Sequence, residues 1–316
     1  MSNLMPWAQP TVEQQVPRNI DWSRTKVAIA TPSRGRSVGD NYMRCVDDLR
    51  SGSLAKAVTA LRDGVQGTGF LEAVEPIVLE PRISGPHDLT RTRSRHFRMF
   101  LENTNADWML LWDDDVWTAD VATTLSAMLT TALIGDLHIL GAMYPGKYYD
   151  EQRIKAAVQR GEANPMQHGF CLQDMRYWRD PTMPDASEHE WLMEVCGVGF
   201  GFCLVSRIAL IAMTERYRQE LQFRDSILGG STVGLAYEIL RDGQSMSEDY
   251  SFCSRARAIG LKVYGFMGPG TPMNHDGMHT FRASPDVYKV TSPWERSVAA
   301  SGPSARPAAR TRPRPA

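Results

Sequence analysis

The chain has 316 residues, enough for one large α/β domain or two small ones, and its formal net charge of −1 supplies no global basic field for nucleic acid. Five cysteines (Cys45, Cys171, Cys196, Cys203, Cys253) are odd in number and fall at no zinc or redox spacing, which points to free, partly buried thiols in a reducing compartment. With no signal-peptide core in the polar N-terminus and no apolar run approaching a membrane span, the expectation is a cytoplasmic protein.

Residues 1–24 read as an irregular arm. Residues 26–31 read as a first strand, closed by Pro32-Ser33-Arg34-Gly35-Arg36. A small, basic turn after a strand is a place to hold a nucleotide, although the G-x-G-x-x-G spacing of a dinucleotide fold is missing. Residues 40–63 read as a helix and 74–79 as a second strand, where Pro76 implies an edge position or a late start. Residues 88–101 read as a helix with Leu89, Phe97, Phe100 and Leu101 on a core face. Arg91, Arg95 and Arg98 recur on a second face, with Arg93 between them in the sequence and able to point elsewhere. That face is either a solvated cationic surface or a supply of guanidinium forks for phosphates.

Residues 108–112 are an uncharged run that reads as a buried strand, and it ends in Asp113-Asp114-Asp115. Thr118 is a candidate cap for a following helix with Val121, Leu125, Met128 and Ala132 on one face. Three adjacent carboxylates repel one another unless they are solvated or neutralised by a cation, and carboxylates suit hard cations such as magnesium or manganese. The alternatives are a solvated acidic turn and a site for a metal and a diphosphate.

Residues 137–143 read as another buried strand, running into Tyr144-Pro145-Gly146-Lys147. Gly141 to Lys147 fits the start of a P-loop, but Tyr148 stands where Ser or Thr would hold magnesium, and Pro145 removes a backbone donor, so that reading is rejected. Lys147 is then either a surface lysine or a cation facing a bound anion. Residues 150–190 read as an insertion or loop-rich region. Residues 194–207 read as one glycine-punctuated strand, where Gly197, Gly199 and Gly201 let a ligand or another backbone approach. Residues 208–222 read as a helix and 225–245 as a glycine-rich stretch with a helical patch. Ser247 is a candidate N-cap for a helix that carries Glu248 and Asp249 in its first turn and ends at Gly260. A strand follows over 261–266, then a His275-Asp276-Gly277 turn placed to reach the triple aspartate. The Pro/Arg-rich residues 291–316 read as a disordered tail.

Taken in order, Ala30 to Arg34, the Arg93 helix, Asp113 to Asp115, Gly141 to Lys147, Gly199-Phe200-Gly201, Ser247 to Tyr250 and His275 resemble the motif series of a GT-A-fold glycosyltransferase over roughly residues 26–281. The resemblance implies an α/β fold, a GT-A-like single domain with a mixed, mostly parallel central sheet flanked by helices. It implies a catalytic domain over 25–290, with a nucleotide-binding half at about 25–145 and an acceptor half at about 146–290. It also implies hexosyl transfer from a UDP- or GDP-linked sugar with Mn2+ or Mg2+. By that likeness Pro32, Ser33, Arg34, Arg36, Arg93, Asp113, Asp114, Lys147 and Gly199 attend the donor, and Asp113, Asp115 and His275 the metal. Asp249, with Glu248 beside it, stands where inverting members hold a general base. Asp114 competes with Asp115 as metal ligand, and His279 with His275. The acceptor is left open among glycan, protein and modified nucleobase. The alternative functions are a nucleotidyltransferase using a nucleoside triphosphate and a non-catalytic glycan- or nucleotide-binding protein.

Overall fold

The computed structural model describes residues 25–32, 40–50, 76–79, 89–147, 149–163, 165–168, 192–241, 243–268, 271, 273–276 and 280–281. The elements below all belong to one compact unit, residues 1–283. The expected arm and tail, and Ser33, Arg34, Arg36, Cys171 and His279, lie outside the described residues.

Strands β1 (Val27–Ala30), β2 (Pro76–Leu79), β3 (Trp108–Trp112), β5 (Ile139–Ala142), β6 (Leu192–Val195), β7 (Phe202–Ser206) and β12 (Val263–Phe266) build a seven-stranded sheet in the order β2-β1-β3-β7-β5-β12-β6. β2, β1, β3, β5 and β12 run one way, while β7 and β6 run against them. The sheet is therefore mixed and mostly parallel, as expected, and Pro76 does open the edge strand. Pro cannot donate to a ladder, so it is tolerated at that edge.

β1, β3, β5, β7 and β12 are buried on both faces, and alternate residues go to opposite sides. Val27, Ile29, Trp108, Leu110, Trp112, Phe202, Leu204 and Phe266 join one core with helices α1 (Asp40–Arg50) and α3 (Val121–Ile134). Ala28, Ala30, Met109, Leu111, Cys203, Val205 and Val263 join the other, under α2 (Leu89–Asn103), α6 (Arg207–Leu221) and α7 (Glu248–Ala258). Each helix packs an apolar stripe against the sheet. On α3 the predicted Val121, Leu125, Met128 and Ala132 are all buried. On α2, Phe97 and Phe100 are buried but Leu89 is exposed, because it stands at the helix's first position, before the stripe meets the sheet.

Several local expectations are corrected. The cap of α3 is Asp120, whose carboxylate accepts from Thr123 N at 3.1 Å, and not Thr118. Thr118 follows the short strand β4 (Val116–Trp117), so the chain is still extended there. Residues 151–159 form helix α4 (Glu151–Gln159), capped by Asp150, and residues 165–168 the short helix α5 (Pro165–His168), where loop was expected. The single strand expected over 194–207 is two strands, β6 and β7, joined by a segment that crosses one face of the sheet. Val198 of that segment lies directly on Gly141 of β5, where an added Cβ would come within 2.6 Å. No helix forms among the described residues of 225–245. Two hairpins do: β8 (Gln222–Arg224) with β9 (Ser231–Val233), and β10 (Ile239–Arg241) with β11 (Gln244–Met246). Gly243, at φ 77°, makes the tight turn of the second. Residues 274–276 form strand β13 (Asn274–Asp276), not a turn; it pairs with β4 and with β14 (Thr280–Phe281). No helix among the described residues is long and apolar enough to cross a membrane.

Candidate active site

The parallel strands β1, β3, β5 and β12 end on one rim of the sheet. β3 delivers the triple aspartate. Asp113 N donates to Gly201 O at 3.0 Å, and Val116 N to Asp113 O at 3.1 Å, which bends the three aspartates into a tight turn. The turn is held from the far side as well. Trp112 Nε1 donates to Val116 O at 2.7 Å, and Asp276 N to Asp115 O at 2.6 Å. The three side chains diverge from this turn. Asp113 pairs with Arg93 and Asp115 with Lys147. Burial and then the charges of Asp115 and Asp113 push the Asp114 carboxyl above its ordinary range.

Asp115 is the most elaborated of the three. His275 is set opposite it by the pairing of β13 with β4, where His275 faces Val116. Its Nδ1 lies 2.8 Å from Pro145 O. A carbonyl only accepts, so Nδ1 carries the proton, and in the neutral ring Nε2 turns a lone pair to the site. Nε2 is 3.3 Å from Asp115 Oδ1, yet that oxygen is buried without a hydrogen bond. A ring lone pair beside an unbonded carboxylate oxygen repels it unless a cation sits between them. An imidazole nitrogen fixed by a second-shell carbonyl, next to a carboxylate oxygen, is a donor set for a divalent ion. Burial raises the Asp115 carboxyl, but the Lys147 ammonium, together with the His275 ring when that ring is protonated, outweighs burial and holds it at about 2.

The expected metal trio is not gathered. Among the described residues no three His, Cys, Asp or Glu side chains converge on one point. Asp113 has turned to Arg93, leaving Asp115 and His275 as the pair that fits a metal. Arg93 is 1% exposed, lies over the Phe200 ring at 5.4 Å, and keeps Nε and Nη1 unbonded. Two buried donors without partners cost about 1–3 kcal/mol each. One turn along α2, His96 is fully buried with neither ring nitrogen bonded; burial, then the charge of Arg93, lowers its pKa to about 3. The other arginines of this helix are not phosphate ligands in waiting. Arg95 is buried against Asp225, Arg98 binds Glu102 and Gly229 O, and Arg91 lies over Phe223.

The acids of α7 form the other wall. Ser247 is the N-cap residue, but its hydroxyl donates to Asp249 Oδ1, which also accepts from Tyr250 N at 2.8 Å. Burial, then the charge of Asp249, pushes Glu248 up to about 7, and burial likewise raises Asp249. The charges of Arg93 and Asp113 act on both acids, so the two groups of carboxylates face the same guanidinium.

Pro32, half-buried, lies two residues past the end of β1, beside Thr31, whose hydroxyl lies 2.6 Å from Tyr42 Oη. Gly199 is buried in the segment crossing the sheet. The close approaches at its neighbours come from this chain's own rings. A Cβ at Gly197 would meet Tyr250 at 2.5 Å, and one at Gly201 would meet Tyr144 at 2.5 Å. Tyr144 had no assigned part in the sequence reading, yet its hydroxyl accepts from Gly201 N at 3.0 Å and its ring stands edge-on to His275. Only its place beside Lys147 in the Gly141 to Lys147 stretch hinted at it.

No family model matches the chain, and no curated protein matches it in sequence. Among solved structures, A197 from STIV is 14% identical at a TM-score of 0.41, covering 83% of this chain and 95% of that one. A glycosyltransferase involved in the glycosylation of the major capsid of PBCV-1 is 13% identical at a TM-score of 0.25, covering 62% of this chain and 68% of that one. Mannosyl-3-phosphoglycerate synthase from Rubrobacter xylanophilus is 15% identical at a TM-score of 0.25, covering 63% of this chain and 60% of that one. At these scores the overlaps establish no shared function.

Proposed function

We propose that the chain is a GT-A-like glycosyltransferase that moves a sugar from a UDP- or GDP-linked donor to an acceptor hydroxyl. In this reading Asp115 and His275 hold a divalent ion, manganese or magnesium. The observation that carries it is the unbonded, buried Oδ1 of Asp115 facing His275 Nε2, with Nδ1 committed to Pro145 O, at the carboxyl end of a central strand. Ligands of open α/β sheets bind at that end. When bound, the ion supplies Lewis-acid stabilisation of the departing diphosphate.

The chain's own groups divide the remaining work. The donor lies over the 25–145 half, with Pro32 near the nucleoside and Asp113 near the ribose. Arg93 turns its unbonded N–H groups to negative charge. Across from it the Glu248–Asp249 pair takes the proton of the acceptor hydroxyl. The hydroxyl oxygen forms its bond to the sugar's anomeric carbon as the carbon–oxygen bond to the diphosphate breaks, and the nucleotide leaves with that electron pair. An acid lifted toward neutrality is a competent base at physiological pH.

The test is release of nucleoside diphosphate from a panel of UDP- and GDP-sugars, with and without Mn2+, followed by product analysis. Mn2+-dependent release from one donor supports the proposal, and the anomer formed tells inversion from retention. Pyrophosphate release from a nucleoside triphosphate would assign a nucleotidyltransferase instead. Donor binding indifferent to chelator, with no turnover, would assign a binding protein.

A further inference from the structure

The carboxylate of Asp115 is bracketed. His275 Nε2 faces Oδ1, and the Lys147 ammonium sits on Oδ2. Both partners are governed by one short segment. Met143 N donates to Phe266 O at 3.1 Å, Met273 N to Met143 O at 3.0 Å, and Pro145 O receives His275 Nδ1. Tyr144, Pro145 and Gly146 are buried, so Lys147 is the first residue of this segment to reach solvent. The clamp fixes where its stem begins and leaves its head free. Lys147 is 39% exposed and Asp115 35%, so the contact is half in water and weak. A lysine is a compact charge on a flexible stem, suited to changing partners.

We infer that Lys147 is a transferable counter-ion. It neutralises Asp115 when no divalent ion is held there, and it is passed to the donor's diphosphate when one is. This rests on the metal reading above. A divalent ion held by Asp115 and His275 would repel the ammonium and compete with it for the same carboxylate, and a diphosphate at the same rim would offer it new oxygens. Lys147 therefore weakens metal binding in the absence of phosphate and strengthens phosphate binding in the presence of metal. Ion and donor become mutually dependent through one side chain.

The experiment is calorimetric titration of the full chain with Mn2+ alone, and with inorganic pyrophosphate in saturating Mn2+, for wild type, Lys147→Met and Lys147→Arg. Lys147→Met is expected to bind Mn2+ about two- to fivefold more tightly, the worth of a half-exposed ion pair. It should bind pyrophosphate several-fold more weakly, while Lys147→Arg stays near wild type in both. Mn2+ affinity that is unchanged or lower in Lys147→Met, with wild-type binding intact, overturns this inference and leaves the metal reading standing. Absence of Mn2+ binding in the wild type overturns the metal reading, and this inference with it.

Discussion

Helix α2 carries two buried arginines two residues apart, and they are treated in opposite ways. Arg95 Nε reaches both oxygens of Asp225 at 3.1 and 2.9 Å, and Asp225 also accepts from Ile227 N, Leu228 N and the Thr232 hydroxyl. This clasp ties α2 to the β8–β9 hairpin. Arg93 has one partner, Asp113, and two bare donors. The same contrast runs across the sheet. Arg207 closes the end of α2 through the carbonyls of Phe100, Leu101, Thr104 and Ala106. Asp115 Oδ1 and both His96 nitrogens go unbonded. Buried polar groups are normally paired, so a saturated charge marks a joint, and an unsaturated one at a strand's carboxyl end marks a place for a ligand.

The joint should break first. Asp225→Ala strips a buried guanidinium of its partner and should cost about 3–5 kcal/mol, read as a drop in the denaturant midpoint. A loss below 1 kcal/mol would show that the clasp is not structural. Asp115→Asn should do the reverse. We expect donor turnover to fall about 10²–10³-fold, as when a group stabilising the transition state is removed, with the thermal midpoint held within a few degrees. Turnover retained, or a collapsed fold, would erase the distinction between the two regions.

Acid should separate them too. Burial raises the Asp225 carboxyl, but the hydrogen bonds from Arg95, Ile227 N, Leu228 N and Thr232 outweigh it and hold it at about 2. Its folded pKa is depressed, so its contribution is present above about pH 4 and lost as pH falls toward 2. That contribution is about 2 kcal/mol, and it should vanish from the acid-unfolding curve of Asp225→Ala. The α7 pair has raised pKa values, so it binds protons more readily in the fold than in the unfolded chain. Turnover should rise with pH through about 7, where Glu248 loses its proton. Glu248→Gln removes the neighbouring charge and should move that limb downward with Asp249 as base, while Asp249→Asn should abolish turnover. A limb unmoved by either change would place the base elsewhere.

The smallest effect is expected at Gly201. A Cβ there meets the Tyr144 ring at 2.5 Å, so Gly201→Ala should cost about 1–3 kcal/mol as overpacking. It should also weaken Mn2+ binding by disturbing the ring beside His275.

What could be read from the sequence divides along the same line. β3 was legible because an unbroken apolar run bounded by aspartates has one economical place, a strand buried on both faces. Glu248 and Asp249 were legible as a helix start because acids favour the positive end of a helix. The split of residues 194–207 was not, because Val198 and Phe200 alternate with glycines as a strand would. What makes them a crossing segment is the bare Cα of Gly141, more than fifty residues away. The parting of Arg93 from Arg95 was legible only in part. Two residues along a helix turn about 200°, so the pair points to different faces, but only the fold brings Asp113 to one and Asp225 to the other. His275 lies beside Asp115 through a strand pairing rather than the turn its sequence suggested.

The account stands on Asp115 and His275 holding a divalent cation. Electron paramagnetic resonance titration of Mn2+ measures this directly, on wild type, Asp115→Asn and His275→Gln, each shown to be folded by its melting curve. The account predicts one bound ion in the wild type and affinity lowered at least tenfold in both variants. Wild-type affinity in Asp115→Asn, or donor turnover undiminished in excess chelator, would contradict it.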